Sequence, residues 1–465
     1  MIDATPDEVA AAIGCSPVGA DSIRGASIRG VSIDSRMVRP GELFIGLPGT
    51  RTDGSEHVAE AIARGAAAAI ATTPGERILR VDDPLDALTR LARWWRSQLA
   101  ARVIGITGSV GKTTTRQLLA AALGETAVQS PRNFNNAIGV PLTILAAGRS
   151  TRWLAAEVGT GGPGEIAPLA DLLQPDRAIL TAAAAAHLDR FASVDAIAAE
   201  KATLAGAAGS SVVLAEHWPA PPPKEALTVG RDATCDVRYE VTRTPGPIWN
   251  GATFDPAAAT TAVRIDGESY RAAVPRHLAA SLAAVVHIAR VEGRTVDEVH
   301  SGLAAFTPDA GRGRLHVDTE RSVAGIDESY NASPASMLAA ARHLAAVAPG
   351  RGMLVCGPML GLGDAAAYWH DHVARTLQSI PLQRIVAVGP LAARLAASGH
   401  RCDAVDTPEA AAAVLHRQLR PGDVFLVKGS RAAAMERVFT SLAALADATP
   451  PPPRPPTTRP EGRPQ

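Results

Sequence analysis

The sequence predicts an α/β protein of about three domains. Its 465 residues are more than one hydrophobic core supports. Near residue 105, a β-branched strand leads through a glycine-rich turn into a helix, and the last third of the chain alternates strand and helix patterns. We therefore expect folded segments at 1–99, 100–309 and 310–448. A proline-rich tail at 449–465 is expected to be disordered.

Composition and charge argue against several classes of protein. Lysine plus arginine equal aspartate plus glutamate, at 46 each, so nothing favours nucleic acid or an anionic membrane as a partner. The four cysteines are scattered without a C-x-x-C pair, which does not suggest a disulfide framework or a zinc site. No signal-peptide pattern and no membrane-spanning apolar run is visible. We expect a soluble cytoplasmic protein.

The opening segment alternates short apolar runs with helical patterns. The apolar runs lie at 43–47 and 67–71, and the helices at about 55–64 and 84–99. Ser35 and Arg36 lie in the polar turn I-D-S-R-M-V-R-P-G, whose hydroxyl and guanidinium groups could bind a diphosphate or a base edge. Taken alone, the turn is more simply interpreted as a polar loop.

The central segment begins with a phosphate-binding pattern. A strand ending near Ile106 precedes a turn in which successive backbone N–H groups can face one anion, and the following helix adds its partial positive charge. Lys112 would reach the outer phosphates, and the Thr113 hydroxyl would hold Mg²⁺. The spacing G-x-x-G-K-T is a shortened P-loop; the alternative is an ordinary strand–turn–helix with a surface lysine. The predicted nucleotide-binding residues are Gly108, Ser109, Val110, Gly111, Lys112, Thr113 and Thr114.

Further polar residues of this segment are candidates for the same site. Glu157 lies near the end of a buried strand, where a parallel sheet binds ligands, and it matches the acid that completes the Mg²⁺ shell of P-loop enzymes. His187 follows the next strand, but a packed or surface histidine is an equal alternative. Asn136 belongs to N-F-N-N, whose asparagines either cap turns or bind a ligand. Lys201 lies on a predicted helix, where lysine is ordinarily solvated.

The remaining elements complete the α/β pattern. We expect a small antiparallel sheet within 235–274 and a helix at about 277–291. In the last segment, helices start at Ser333 and Thr407, which are hydroxyl caps followed by proline. Strands are expected at 322–327, 352–356, 384–388 and 423–427, and further helices at about 365–377, at 391–397 and up to 446. This is a doubly wound, Rossmann-like domain without a dinucleotide-binding glycine motif.

Several motifs together resemble the Mur ligase family, in particular its MurF type. In order along residues 30–440 they include D-S-R, P-G-E-L-F-I-G-L-P-G, T-G-S-V-G-K-T-T-T, N-F-N-N-A-I-G-V-P-L-T, I-D-E-S-Y-N-A-S-P-A-S-M and V-K-G-S-R-A-A-A-M-E. The resemblance implies a three-domain Mur ligase architecture, with a central P-loop ATPase domain and a C-terminal Rossmann-like domain. It implies an ATP-dependent ligase that joins D-alanyl-D-alanine to UDP-N-acetylmuramoyl-tripeptide (UDP-MurNAc-tripeptide) through an acyl phosphate, in the cytoplasmic part of peptidoglycan synthesis. We expect a monomer.

The resemblance also implies roles for single residues. Ser35 and Arg36 would bind the uridine nucleotide. ATP and a first Mg²⁺ would be held by Lys112, Thr113 and Glu157. His187 would place a second metal ion, and Lys201 would be carbamylated, so that a cation becomes a metal-binding carboxylate. The implied catalytic residues are Lys112, His187 and Lys201.

Two further groups of residues match family positions. One group matches contacts to the nucleotide and consists of Asn136, Arg314, Asp327 and Asn331. The other matches the face that the last domain turns toward the site and consists of Lys428, Ser430 and Arg431. Both groups are expected to take part in binding ATP or substrate.

The sequence departs from the family pattern where substrate or nucleotide is recognised. Gly161 and Gly162 replace Asn-His, Ala182 replaces an asparagine, 357–363 lacks two acids and 277–282 lacks two amides. A MurF-like ligase of a specialised pathway, with a different acceptor, therefore stays open. A third alternative is a nucleotide-dependent binding or regulatory protein without catalysis. It is disfavoured by the retention of Lys112, Glu157, His187 and Lys201.

Overall fold

A computed structural model describes residues 1–15, 27–49, 52–131, 133–219, 221–250, 253–397 and 402–448. The tail predicted at 449–465 lies outside the described residues. The chain divides into two compact units. The first contains Met1–Thr244, Thr260–Pro308 and Gly361–Asp364, and the second contains Pro245–Ala259, Asp309–Leu360 and the described residues from Ala365 onward.

In the first part of the first unit, the described residues form a small parallel sheet with three α-helices. Its elements are β1 (Asp3–Ala4), α1 (Pro6–Ile13), β2 (Ile28–Arg29), β3 (Val31–Ser32), β4 (Leu43–Ile45), α2 (Val58–Ala63), β5 (Ala68–Ala71), β6 (Ile78–Arg80) and α3 (Pro84–Ser97). Strands β3, β4, β5 and β6 are parallel neighbours in that order, and β1 pairs separately with β2. The predicted helix at 55–64 begins as a 3₁₀ turn, Gly54–His57.

Helix α3 joins this sheet to the central segment. Asp83 caps its N-terminus, and Pro84 takes the first helical position. Leu91 and Trp95 are fully buried in a hydrophobic cluster that also contains Leu142 and other residues of the central segment. The Trp95 indole donates to the Ala147 carbonyl oxygen at 2.8 Å. The first and central segments therefore share one core within the first unit, and the boundary predicted at residue 99 stays a prediction.

The central segment contains a seven-stranded, fully parallel sheet. Its elements are β7 (Arg102–Thr107), α4 (Lys112–Leu123), β8 (Ala127–Gln129), α5 (Gly139–Ala146), β9 (Trp153–Glu157), α6 (Ile166–Leu173), β10 (Arg177–Leu180), α7 (Val194–Gly206), β11 (Ser210–Leu214), β12 (Ala226–Gly230) and β13 (Val237–Arg238). The strand order is β13–β12–β11–β10–β7–β9–β8. Because all strands run the same way, the loops that follow β7, β9 and β10 lie at one edge of the sheet.

The predicted antiparallel sheet is present beside the parallel one. Its region contains β14 (Glu240–Arg243), β15 (Trp249–Asn250), β16 (Thr253–Phe254), β17 (Thr261–Ile265), β18 (Glu268–Ala272), α8 (Ala279–Val291) and α9 (Val296–Ala305). Strands β14, β17 and β18 form the sheet in that order. The hairpin of β15 and β16 belongs to the second unit instead, where the buried Ile248 donates its backbone N–H to the Val347 carbonyl oxygen at 3.0 Å.

The second unit contains a six-stranded sheet with helices. Its elements are β19 (Arg314–Asp318), β20 (Val323–Glu328), α10 (Pro334–Val347), β21 (Gly352–Cys356), α11 (Ala366–Leu377), β22 (Arg384–Val388), α12 (Pro390–Ala397), β23 (Cys402–Val405), α13 (Pro408–Gln418), β24 (Val424–Lys428) and α14 (Arg437–Ala448). The strand order is β19–β20–β24–β21–β22–β23, with only β19 antiparallel. Ser333 and Thr407 cap α10 and α13 as predicted. The predicted α/β class is confirmed.

Candidate active site

The loop between β7 and α4 forms a glycine-rich cradle whose backbone is held in place by neighbouring residues. Gly111 lies before the first helical residue with φ +88°, a left-handed conformation that favours glycine. The loop is fastened to the segment after β10, because the Ser109 N–H donates to the Ala182 carbonyl oxygen at 2.7 Å. The Thr181 hydroxyl donates to the Val110 carbonyl oxygen at 2.6 Å. A Cβ atom on Gly108 would lie 1.9 Å from the Thr181 Oγ1, so only glycine fits there.

The first turn of α4 presents the predicted phosphate-binding side chains. Lys112 Nζ donates to the Gly108 carbonyl oxygen at 2.5 Å, so the amine lies over the loop. Thr113 and Thr114 are both buried. Because α4 has twelve residues and its N-terminus meets this loop, its backbone N–H groups add partial positive charge there. The arrangement suits the outer phosphates of a nucleotide.

Glu157 is the last residue of β9 and lies beside this cradle. Its Cα pairs with that of Ile106, the residue before Thr107 at the end of β7. The carboxylate is almost completely buried, at 1% exposure, and forms an ion pair with Arg116 at 2.9 Å. Sequence reasoning did not identify Arg116, because a basic residue within a predicted helix indicates a solvated side chain.

Two further basic residues belong to the same region of the first unit. Lys201 on α7 is 3% exposed. Burial, together with the Lys112 charge, lowers the pKa of Lys201 to about 7, although the Glu200 carboxylate raises it in part. His187 is exposed and has a φ of +54°. Partial removal from water lowers the pKa of His187, and the Lys112 and Lys201 charges lower it further. The structure thus brings Lys112, His187 and Lys201 within electrostatic reach of one another.

The donor set fits a magnesium ion that also binds phosphate. Among the described residues no three His, Cys, Asp or Glu side chains are grouped as a complete metal site. Magnesium usually keeps water and phosphate ligands and takes only one or two carboxylates from the protein. The Thr113 hydroxyl and the Glu157 carboxylate next to a phosphate cradle supply donors of that kind. A lysine with a pKa near 7 can also form a carbamate, which needs the neutral amine.

Asn136 has a capping role in the structure. Its Oδ1 accepts from the N–H groups of Ile138 and Gly139, at 3.1 and 2.9 Å, where α5 begins. Its neighbour Asn135 lies closer to the acid, with Nδ2 3.5 Å from the Glu157 Oε2. Of the two interpretations of this asparagine run, capping is therefore directly visible at Asn136.

The predicted uridine-binding residues lie in the first segment, each with a protein partner. Ser35 is buried, and its hydroxyl donates to the Glu60 Oε2 at 2.6 Å. Arg36 pairs with Asp34 at 2.7 Å and is 75% exposed. An arginine so exposed is accessible to an anionic ligand, whereas Ser35 shapes the turn.

In the second unit, Asp327 organises the predicted nucleotide contacts. It is buried at the end of β20, accepting from the Gly311 N–H at 2.8 Å and from the Ser329 hydroxyl at 2.6 Å. Arg314 is exposed on β19, and its Cα lies opposite that of Asp327 in the antiparallel pairing of β19 with β20. Asn331 is also exposed. Arg314 and Asn331 are therefore open to a ligand, and Asp327 fixes the surrounding loops.

The predicted group of Lys428, Ser430 and Arg431 also contains both buried residues and an exposed one. Lys428 is buried, and its amine donates to the Glu328 carboxylate and to the Asn331 carbonyl oxygen, both at 3.0 Å. Ser430 is buried and accepts from the Leu360 N–H at 2.8 Å. Arg431 is exposed and pairs with Glu436 at 3.0 Å. Two of the three residues thus hold loops in place.

Comparison with known proteins decides the family. Residues 27–95, 106–217 and 313–431 match the Mur ligase family catalytic domain, the middle domain and the glutamate ligase domain. The chain is 32% identical to the UDP-N-acetylmuramoyl-tripeptide--D-alanyl-D-alanine ligase of Mycobacterium leprae, over 96% of this chain and 98% of that protein. The chain belongs to the Mur ligase family.

Other comparisons place this Mur ligase with the MurF type. The ligase of the same name from Mycobacterium tuberculosis strain H37Rv is 34% identical, over 89% of this chain and 92% of that protein. The crystal structure of MurF from Acinetobacter baumannii has a TM-score of 0.82 at 26% identity, covering 96% of this chain and 99% of that one. MurF from Thermotoga maritima in complex with ADP has a TM-score of 0.74 at 26% identity, covering 92% and 99%. The predicted three-domain Mur ligase fold is confirmed.

This Mur ligase keeps an ordered loop where it departs from the family pattern. Glu165 Oε2 accepts from the Gly161 N–H at 2.8 Å. Glu200 accepts from the N–H groups of Gly164 and Ile166, both at 2.8 Å. Glu200 thereby fastens this loop to α7, the helix that carries Lys201. The loop backbone is held without the side chains of the family's Asn-His pair.

Proposed function

We propose that this Mur ligase joins D-alanyl-D-alanine to UDP-MurNAc-tripeptide at the expense of ATP. The observation that carries the proposal is the 32% identity to an enzyme of that name, over 96% of the chain and 98% of the enzyme. The cradle at Gly108–Thr114 supports the use of ATP, as does the ADP complex of the Thermotoga relative. The described residues include no helix able to cross a membrane. We also propose that the enzyme acts in the cytoplasm as a monomer.

The reaction needs an activated carboxylate, because a free carboxylate is a poor acylating agent. The terminal phosphoryl group of ATP passes to the peptide carboxylate, giving ADP and an acyl phosphate. The amine of D-alanyl-D-alanine then attacks the acyl carbon, and phosphate leaves. Phosphoryl transfer depends on positioning and on charge neutralisation. Lys112 and the N–H groups of the cradle would supply both, and the position of the Lys112 amine over the loop supports this role.

The site residues divide between binding and positioning in this proposal. Magnesium, when bound, would neutralise phosphate charge. Thr113 and Glu157 would hold the first ion, and His187 and carbamylated Lys201 would lie near a second. Asn136, Arg314, Asp327 and Asn331 would order the nucleotide site. Ser35 and Arg36 would bind the uridine nucleotide, while Lys428, Ser430 and Arg431 would shape the face of the second unit. The buried Lys201, with a pKa near 7, favours carbamylation.

The direct test is phosphate release from ATP with purified substrates. We expect release only when UDP-MurNAc-tripeptide and D-alanyl-D-alanine are both present, and loss of release in Lys112→Ala, since that amine lies over the phosphate loop. Turnover of the nucleotide-linked peptide with other amines, but not with D-alanyl-D-alanine, would support the second candidate instead. That candidate is a ligase of a specialised pathway, favoured by the altered recognition motifs at Gly161–Ile166 and Gly357–Gly363.

A further inference from the structure

Arg116 is a buried arginine for which the family motifs give no role. It lies on the second turn of α4 and is 2% exposed. Its Nε donates to the Glu157 Oε1 at 2.9 Å, and its Nη1 donates to the Gln129 Oε1 at the end of β8. The guanidinium therefore links the phosphate-loop helix to two neighbouring strands of the sheet.

The Glu157 carboxylate is oriented by this arrangement. One oxygen faces Arg116, and the other lies 3.5 Å from the Asn135 Nδ2. The Glu157 backbone N–H donates to the Ser130 hydroxyl at 3.0 Å, which fixes the end of the strand. A planar guanidinium with donors in a fixed fork restricts the carboxylate more than a lysine amine could.

The pair has opposite effects on folding and on cation binding. A buried carboxylate without a partner is strongly destabilising, so the Arg116 charge offsets that cost in the protein without a cation. The same positive charge repels a cation that approaches the same carboxylate. An arginine at this position should therefore weaken cation binding at Glu157 while it holds the carboxylate in place.

We propose that Arg116 is a positioning residue that orients Glu157 and sets the affinity of the site for its divalent cation. The proposal rests on Glu157 as a magnesium ligand in the proposed function. It goes beyond that function, because it assigns control of cation affinity to a side chain that neither the cation nor the nucleotide needs to touch. Neutral replacements should tighten cation binding, and a charged replacement should not.

The test measures binding of Mn²⁺ by electron paramagnetic resonance, with a non-hydrolysable ATP analogue as the second ligand. The neutral variants are Arg116→Met and Arg116→Gln, and Arg116→Lys keeps the charge as the matched control. We expect the Kd for Mn²⁺ to fall about tenfold or more in either neutral variant and to stay within about threefold in Arg116→Lys. In EDTA, the melting temperature of Arg116→Met should fall by several degrees, and Mn²⁺ with the analogue should recover part of that loss.

The outcomes separate this inference from the proposed function. An unchanged or weaker Mn²⁺ affinity in both neutral variants would overturn it and leave Arg116 as a structural residue. If Arg116→Met does not fold, Arg116→Gln, which keeps a donor toward Glu157, carries the test. Glu157→Gln is measured in parallel. If it binds Mn²⁺ as tightly as the unaltered enzyme, Glu157 is not a ligand and the inference fails, while ligase activity with D-alanyl-D-alanine would still support the proposed function.

Discussion

Replacing Lys201 with methionine should stabilise the cation-free enzyme, and the gain should depend on pH. Burial and the Lys112 charge lower the pKa of Lys201 from 10.5 to about 7. The folded protein therefore binds this proton more weakly than the unfolded chain does. That difference costs about 5 kcal/mol of folding free energy below about pH 7. Methionine keeps an unbranched side chain of similar length without the charge.

The sign of the pH dependence follows from the same shift. Between about pH 7 and pH 10.5 the unfolded chain still holds the proton, whereas the folded protein has lost it, so the stability of the unaltered enzyme rises with pH. The advantage of Lys201→Met should be about 5 kcal/mol near pH 6 and only about 1–2 kcal/mol near pH 9.5. The chain has two units, so a global unfolding measurement would mix their stabilities. Amide hydrogen exchange in α7 instead measures the change in stability at the helix that carries Lys201.

The assay uses EDTA and buffer stripped of carbon dioxide. An advantage that is the same at both pH values would refute the reasoning, because it would show that Lys201 titrates normally in the folded protein. Adding bicarbonate near pH 8 should stabilise the unaltered enzyme but not Lys201→Met, since carbamate formation consumes the neutral amine. Ligase activity should follow the same dependence on bicarbonate, and Lys201→Arg should be inactive because it cannot form the carbamate.

Two further predictions concern a glycine and a buried ion pair. Gly108→Ala should abolish binding of a fluorescent ATP analogue, because its Cβ would lie 1.9 Å from the Thr181 Oγ1; Gly206→Ala, with no atom within 4 Å, is the control that should bind normally. Lys428→Met should lower the stability of the second unit by about 3–5 kcal/mol, since it removes the buried positive charge that lies 3.0 Å from the Glu328 carboxylate. Arg431→Ala should change stability by less than about 1 kcal/mol, because the Arg431 side chain is 64% exposed and its ion pair with Glu436 lies in contact with solvent. Equal melting temperatures for these two variants would show that Lys428 does not stabilise the unit.

The phosphate loop could be predicted from sequence because its signal is local. The strand, the two glycines and Lys112 are adjacent in the chain, and each of these residue types has a clear physical role in binding a phosphate. Arg116 could not be predicted, since its partner Glu157 lies 41 residues away and nothing in the helix sequence distinguishes a buried arginine from a solvated one. The motif thus predicts the cradle but not the charges that surround it.

Lys201 shows a second limit of sequence reasoning. From helix pattern alone it would be a solvated lysine, and only the family resemblance selected it. Helix α7 is rich in alanine, so few large apolar residues mark which of its faces is buried. The structure buries Lys201 to 3% exposure because the packing of α7 on the sheet, not its own sequence, decides which face is covered.

The hairpin of β15 and β16 shows that a segment can join a unit distant in sequence. The alternation in this region predicted antiparallel strands correctly, and nearby strands β14, β17 and β18 form the expected sheet. The hairpin itself is held by Val347, about a hundred residues later. A pattern of alternating residues indicates a strand but not the surface against which it packs.

We expect the departures from the family motifs to affect recognition more than catalysis. At Gly161–Ile166 the backbone is held by Glu165 and Glu200, and in the second unit the Met359 N–H donates to the His370 Nε2 at 3.3 Å. These loops therefore keep defined conformations although side chains typical of the family are missing. Side chains that are absent cannot bind an acceptor, whereas Lys112 and Glu157 remain beside the phosphate loop. A changed acceptor would consequently appear first as a high KM for D-alanyl-D-alanine, with phosphoryl transfer to the peptide carboxylate preserved.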